Sequence, residues 1–185
     1  MIKYPTFVVL LFCYVLANAQ TEELATKAVS VSYFGETLTH PGLALGVEHY
    51  PLQSPKHQLV WSVSVGGYLH PRNNTSFFAR LQVGQRLLLG GKFMLENFVG
   101  IGYLRQRPQG GAVYRILPNG AVVENKRSGS GKIMPSVALG IGYNGIKIHG
   151  KSIKVFARPE IFWKAPFNGY YLTHFAMNTG FIVPL

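Results

Sequence analysis

The sequence contains no aspartate, and its seven acidic residues are all glutamate. An aspartyl nucleophile, an EF-hand calcium loop and a Walker-B aspartate are therefore excluded. Cysteine occurs once, as Cys13, within a segment expected to be removed. The mature chain is then free of disulfides, thiolate metal ligands and cysteine nucleophiles. Beyond residue 20 there is no sustained apolar stripe at helical spacing. Acidic charge is scarce overall: 18 Lys and Arg give a formal net charge of +11. Without Lys3, 17 basic residues remain against seven acidic ones, a net +10.

What is present begins with "MIKYPTFVVLLFCYVLANAQ". Lys3 forms a positive leader, Phe7 to Leu16 an apolar run, and Ala17-Asn18-Ala19 the small-x-small pattern of a secretory cleavage site. Residues 1–19 are expected to be a cleaved signal peptide and the mature chain to start at Gln20. The alternative is a membrane anchor, for which the run is short against the roughly 20 residues a spanning helix needs. Phe12 before Cys13 is too bulky for a lipoprotein processing site. With 185 residues, residues 20–185 are expected to form one domain.

Eight segments of the mature chain have strand-like composition: 28–38, 43–52, 57–70, 76–89, 92–105, 132–144, 152–164 and 170–184. Turn signals separate them, among them His40-Pro41-Gly42, Gly90-Gly91 and Pro166-Phe167-Asn168-Gly169. The expected class is all-β, and eight strands is the number at which a small barrel closes around an interior filled by side chains.

One register runs through the whole chain. Odd positions carry bulky apolar residues such as Val31, Leu45, Trp61, Val99, Leu139 and Phe181, whereas even positions carry glycines such as Gly46, Gly84, Gly100 and Gly142 with small or charged residues. In a soluble, lipocalin-like periplasmic barrel with a hydrophobic ligand the bulky face would point inward; in a transmembrane barrel it meets lipid. Volume favours the second, because eight strands cannot enclose so many large side chains. A water-facing exterior would also carry abundant Lys and Glu, not a column of glycines.

With a periplasmic N-terminus, outward Phe77, Tyr103, Trp163 and Tyr171 fall at the external strand ends and Trp61, Phe93, Tyr143 and Phe181 at the periplasmic ends, as two interfacial girdles. The one long connection, 106–131, is then external. On this register, these girdles and this loop pattern, the chain resembles the OmpA/OmpX-like eight-stranded outer-membrane barrels of Gram-negative bacteria over nearly all its mature length. The ending "NTGFIVPL" fits the terminal-strand signal read by the barrel-assembly machinery, with Asn178, Gly180, Val183 and Leu185 in its defined positions. Many family members end in Phe, where this chain has Leu185. The resemblance implies an outer-membrane location among lipids and lipopolysaccharide, as a monomer with no conducting pore.

Inward positions hold Glu36, Glu48, Glu96 and Glu160 against Arg80, Arg86, Lys154 and Arg158. Inside a narrow barrel these ions must pair, since an unpaired buried ion costs several kcal/mol. Folding about Gly90-Gly91 sets Arg86 beside Glu96, and folding about Phe167-Asn168 sets Glu160 beside His174. Glu36, Glu160 and His174 then meet near the external mouth, either as an acid/base cluster or as part of the plug that fills the lumen. Lipid A acylhydrolases and acyltransferases exist among outer-membrane barrels, but no lipid-facing Ser beside a His is found. Glu36, Thr39 and His40 come nearest and read as a tight turn. His49, His57, His70 and His149 are scattered, and no metal site is expected. "GIKIHGKS" at 145–152 satisfies the Walker A pattern, but a strand-like stretch containing Pro159 follows it instead of a phosphate-binding helix. Gly140-Ile141-Gly142 likewise belongs to a strand, not a dinucleotide loop. Neither a cofactor nor a nucleic-acid partner is expected.

Within 106–131, "AVYRILPNGAVVE" reads as a hairpin turning on Leu117-Pro118-Asn119-Gly120. Arg105, Arg107, Arg115, Lys126, Arg127 and Lys132 surround it. Such a basic ribbon suits lipopolysaccharide phosphates or another surface polyanion; the alternative is a loop charged only for solubility. The expected function is structural or surface-interacting, with a lipid A-modifying enzyme and the lipocalin-like carrier as alternatives.

Overall fold

The computed structural model describes residues 25–54, 56–71, 73–109, 114–124, 129–148, 151–167 and 169–185. The strands are β1 (Lys27–Glu36), β2 (Gly42–Gln53), β3 (His57–His70), β4 (Asn74–Leu89), β5 (Phe93–Pro108), β6 (Tyr114–Ile116), β7 (Val122–Glu124), β8 (Ser130–Ile133), β9 (Ser136–Ile148), β10 (Lys151–Phe167) and β11 (Tyr170–Pro184). β1 to β5 form an antiparallel meander. β5 then pairs with β8 and β9, β9 with β10, β10 with β11, and β11 with β1. β8 and β9 form a single stave bent at Pro135, for Met134 and Gly102 exchange both backbone hydrogen bonds at 2.8 and 2.9 Å across the join. The ring therefore has eight staves and no free edge of its own.

The barrel keeps one parity through the body of its strands, where ladder partners are both odd or both even; only between a bulge and the adjacent turn, as at Leu52–Leu59, Ile153–Ile146 and Phe167–Tyr170, does the parity change. Val63 faces Val47 and Leu81, Arg80 faces Ser64 and Gly102, and Val31 faces Phe181. Even positions point into the lumen. Odd positions form an apolar outer belt, with Val99 63%, Leu139 68% and Trp61 52% exposed. So large an apolar surface on an isolated molecule marks contact with another phase. Gln85 and Asn97, facing each other across β4 and β5, interrupt it. Phe77, Tyr103 and Tyr171 are exposed towards the long-loop end, and Trp61, Phe93 and Phe181 towards the end of the short turns. Phe93 and Tyr143 meet edge to face at 5.5 Å.

The lumen departs from the sequence reading in one respect. Its even face is not only small or charged, because Phe34, Phe78, Phe98, Phe156, Phe162, Tyr50 and Tyr68 also point inward and are buried. Glycines on adjacent strands make their room. A Cβ added to Gly84 would overlap the Asn97 carbonyl oxygen and the Phe98 ring. Gly84→Ala is expected to destabilise the barrel by about 1–3 kcal/mol, read as a lower urea midpoint of the detergent-folded mature chain.

Beyond the barrel, β6 and β7 form a short separate hairpin. Its turn is closed by Leu117 N–H to Ala121 O and Gly120 N–H to Leu117 O, both 2.9 Å, with Gly120 at φ 81°. Gly120 supplies the left-handed backbone such a turn demands, and Asn119 Oδ1 accepts from Ala121 N–H at 3.1 Å.

Candidate functional site

The polar side chains converge in the lumen, in three tiers along the barrel axis. Nearest the short turns, the fully buried Arg86 joins two carboxylates from its own side of the barrel: Nε donates to Glu96 Oε1 and Nη2 to Glu48 Oε2 at 2.9 Å. Arg158, from β10, donates to Glu96 Oε2 at 2.8 Å and lies 4.1 Å from the Phe98 ring centroid. Tyr50 closes the tier, donating to Glu48 Oε2 at 2.8 Å and accepting from Arg86 Nη1 at 3.2 Å. The Arg86–Glu96 contact follows directly from the β4–β5 register, in which these residues are partners. Lys154 has no carboxylate at salt-bridge distance among the described residues. Its ammonium donates to Gln58 Oε1 at 3.4 Å and sits 4.9 Å from the Tyr50 ring.

In the middle tier Arg80, from β4, crosses the lumen to Glu160 on β10, with bonds of 2.6 and 2.7 Å to the two carboxylate oxygens. Asn178 ties the pair together: its Nδ2 donates to Glu160 Oε2 at 2.7 Å and its Oδ1 accepts from Arg80 at 3.3 Å. Ser64 accepts from Arg80 Nε at 2.9 Å. A cavity of about 10 Å³ between the tiers, lined by Ser30, Ser62, Arg80 and Arg158 among others, has the room one water needs.

The third tier lies at the mouth on the long-loop side. Glu36 Oε1 accepts from Lys164 Nζ at 2.9 Å and lies 2.7 Å from His174 Nδ1. The His174 ring stacks on Phe162 at 5.2 Å. This corrects the expected cluster of Glu36, Glu160 and His174. An irregularity between Lys164 and Phe167 shifts the β10–β11 register, so that Glu160 faces Ala176 and His174 faces Phe162. Glu160 is thereby handed to Arg80, and His174 to Glu36. Lys164, which the sequence reading did not include, is the buried cation of this tier.

The remaining predicted residues divide by parity. Arg105 and Arg107 are exposed on the outer face at the upper end of β5. Lys132 is even-numbered and half-buried, placed opposite Leu104 and not on an external ribbon. Arg115 lies in β6 opposite Val123, and Lys126 and Arg127 fall outside the described residues. In the terminal-strand signal Asn178 faces the lumen, Gly180 packs against Ser32, Val183 is buried and Leu185 is exposed. His49 is exposed and His57 half-buried at the short-turn end, and His149 is outside the described residues. His70 is not scattered: its ring stacks on His40 at 3.7 Å. The Walker-like string falls across the β9–β10 connection between two antiparallel strands, where no phosphate-binding helix follows.

One trio looks like a hydrolytic relay. Thr37 Oγ1 and Glu36 Oε2 each lie 2.9 Å from His40, but both approach the same nitrogen, Nδ1. A relay needs nucleophile and orienting carboxylate on opposite ring nitrogens, so this trio cannot pass a proton between them.

No protein-family model matches the chain, and no curated protein matches it. Among solved structures it is similar to Neisserial surface protein A, with a TM-score of 0.52 and 5% identity over 85% of this chain and 94% of that one. It is also similar to the outer-membrane enzyme PagL, at TM-score 0.48 and 14% identity over 85% and 99%. A third similar structure is the Yersinia pestis outer-membrane protein Ail in a phospholipid nanodisc, at 0.46 and 10% over 85% and 99%. At such identities the likeness is one of fold. Closed ring, single parity and structural likeness agree: the chain has the eight-stranded antiparallel barrel fold of the small, OmpA/OmpX-like outer-membrane proteins.

Proposed function

We propose that this chain is an integral outer-membrane barrel of structural or surface-interaction type, exported by residues 1–19, with its long-loop end facing outward. The observation that carries the reading is the outer belt: apolar side chains encircle the barrel while its charges are gathered and paired inside. Water would solvate the opposite arrangement. Two clusters of apolar side chains, one around Phe34 and Phe162 and one around Phe98 and Phe156, fill the lumen between the ion tiers, which supports a non-conducting barrel. The chain then acts through its surface. Arg105 and Arg107, exposed at the long-loop end of β5, suit phosphate groups at the level of the lipopolysaccharide headgroups.

The experiment is fractionation of cells expressing the full chain, followed by carbonate extraction and a gel comparing heated with unheated samples. The protein is expected to stay with the outer membrane and to migrate faster unheated; release by carbonate would sink the reading. For the surface interaction, deletion of residues 109–129 together with Arg105→Gln and Arg107→Gln is expected to leave insertion intact. It should weaken lipopolysaccharide binding at least tenfold and flatten its salt dependence. Unchanged binding would assign the basic residues to solubility alone.

A further inference from the structure

The mouth tier contains a cluster that the lumen network leaves unfinished. Glu36, the last residue of β1, is 2% exposed. Lys164 and His174 occupy its Oε1. Its buried Oε2 has no hydrogen-bond partner, although it lies 2.9 Å from His40 Nδ1. His40 in turn stacks against His70, with ring centroids 3.7 Å apart and 21° between the planes. One donor atom from each of Glu36, His40 and His70 lies within 4.8 Å of the other two.

The fold places these three in a row. Glu36 and His40 bridge each other across the β1–β2 turn. The β2–β3 register, in which Gly42 faces Tyr68, continues one step further to set His40 against His70. All three positions are even, so all three side chains turn towards the mouth. The turn that delivers His40 is itself strained, because Thr37 and Leu38 stand at φ 49° and 63°, a left-handed backbone that residues with a side chain rarely adopt.

We propose that Glu36, His40 and His70 bind a late first-row divalent ion, zinc by their donor set, with water completing the coordination. Two imidazoles and one carboxylate form a borderline-soft set suited to zinc and poorly suited to calcium or magnesium. Zinc bonds of about 2.0–2.2 Å hold tetrahedral donors roughly 3.3 Å apart, so donors already within 4.8 Å close on an ion through side-chain rotation. Binding one ion splays the stacked pair about the broad histidine χ2 torsions. Lys164 and His174 on Oε1 play the outer part, orienting the carboxylate so that Oε2 faces the histidines. The Lys164 ammonium also repels a dication, which makes this an exchangeable site and not one on which folding depends.

The test uses the untagged mature barrel folded in detergent and titrated with zinc chloride alone by calorimetry. Saturation at one equivalent is expected. His40→Gln and His70→Gln should each lower the affinity at least tenfold, while His49→Gln and His57→Gln, at the opposite end of the barrel, leave it unchanged. A heated-versus-unheated gel verifies that each variant is folded. Absence of saturable binding would overturn the proposal, as would an affinity that survives both mouth substitutions or falls equally with the distal ones. None of these outcomes bears on the lipopolysaccharide reading, which rests on other residues.

Discussion

Arg86→Met is expected to destabilise the barrel by about 3–5 kcal/mol, the penalty for removing one partner from a buried ion network. Arg86 is fully buried and joins Glu48 to Glu96. Without it Glu96 keeps Arg158 at 2.8 Å, whereas the nearest remaining cation to Glu48 is Arg158 at 3.9 Å. The loss therefore concentrates on Glu48. Adding Glu48→Gln to Arg86→Met should recover part of the stability, because an amide in that place is neutral and can still accept from Tyr50. Urea titration of the folded mature chain in detergent reads both values. A single substitution costing under 1 kcal/mol would show that the tier is open to water.

The second large effect concerns the outside. Leu139 is 68% exposed and lies between Asn97 and Pro159 in the middle of the belt. Leu139→Arg is expected to cost about 2–4 kcal/mol when the protein is refolded into a lipid bilayer, the depth-dependent penalty for a cation on the lipid face of a barrel. At an exposed position in water the same change stays within roughly 0.5 kcal/mol. The substitution therefore reports the solvent of the belt directly, and a value in the smaller range would remove the membrane reading.

Much of this fold was legible in the sequence because alternation at period two is a local property. Each strand's faces are written in its own residues, and the outer belt could be read from odd positions such as Leu81, Val99 and Leu139. Hairpin partners were legible where the turn is tight, as at Gly90-Gly91, which fixes Arg86 against Glu96. They were not legible at 165–169, where an irregularity after Lys164 moves the pairing. Contacts across the lumen were hidden for a different reason. Arg80 reaches Glu160, and Arg158 reaches Glu96, and which inward residues meet across the interior depends on strand tilt and shear. The stack of His40 on His70 had a signal that went unread: both are even, and the register of the intervening hairpin sets them opposite each other.

The shared parity of facing residues has an evolutionary corollary. Inserting or deleting a single residue within a barrel strand would exchange its two faces from that point to the next turn, placing Arg or Glu against acyl chains and Leu or Val among the ions. Length variation among homologues should accordingly be confined to the connections, or enter the strands two residues at a time or with a compensating bulge, much as nucleotide insertions survive in a gene only when they preserve the reading frame.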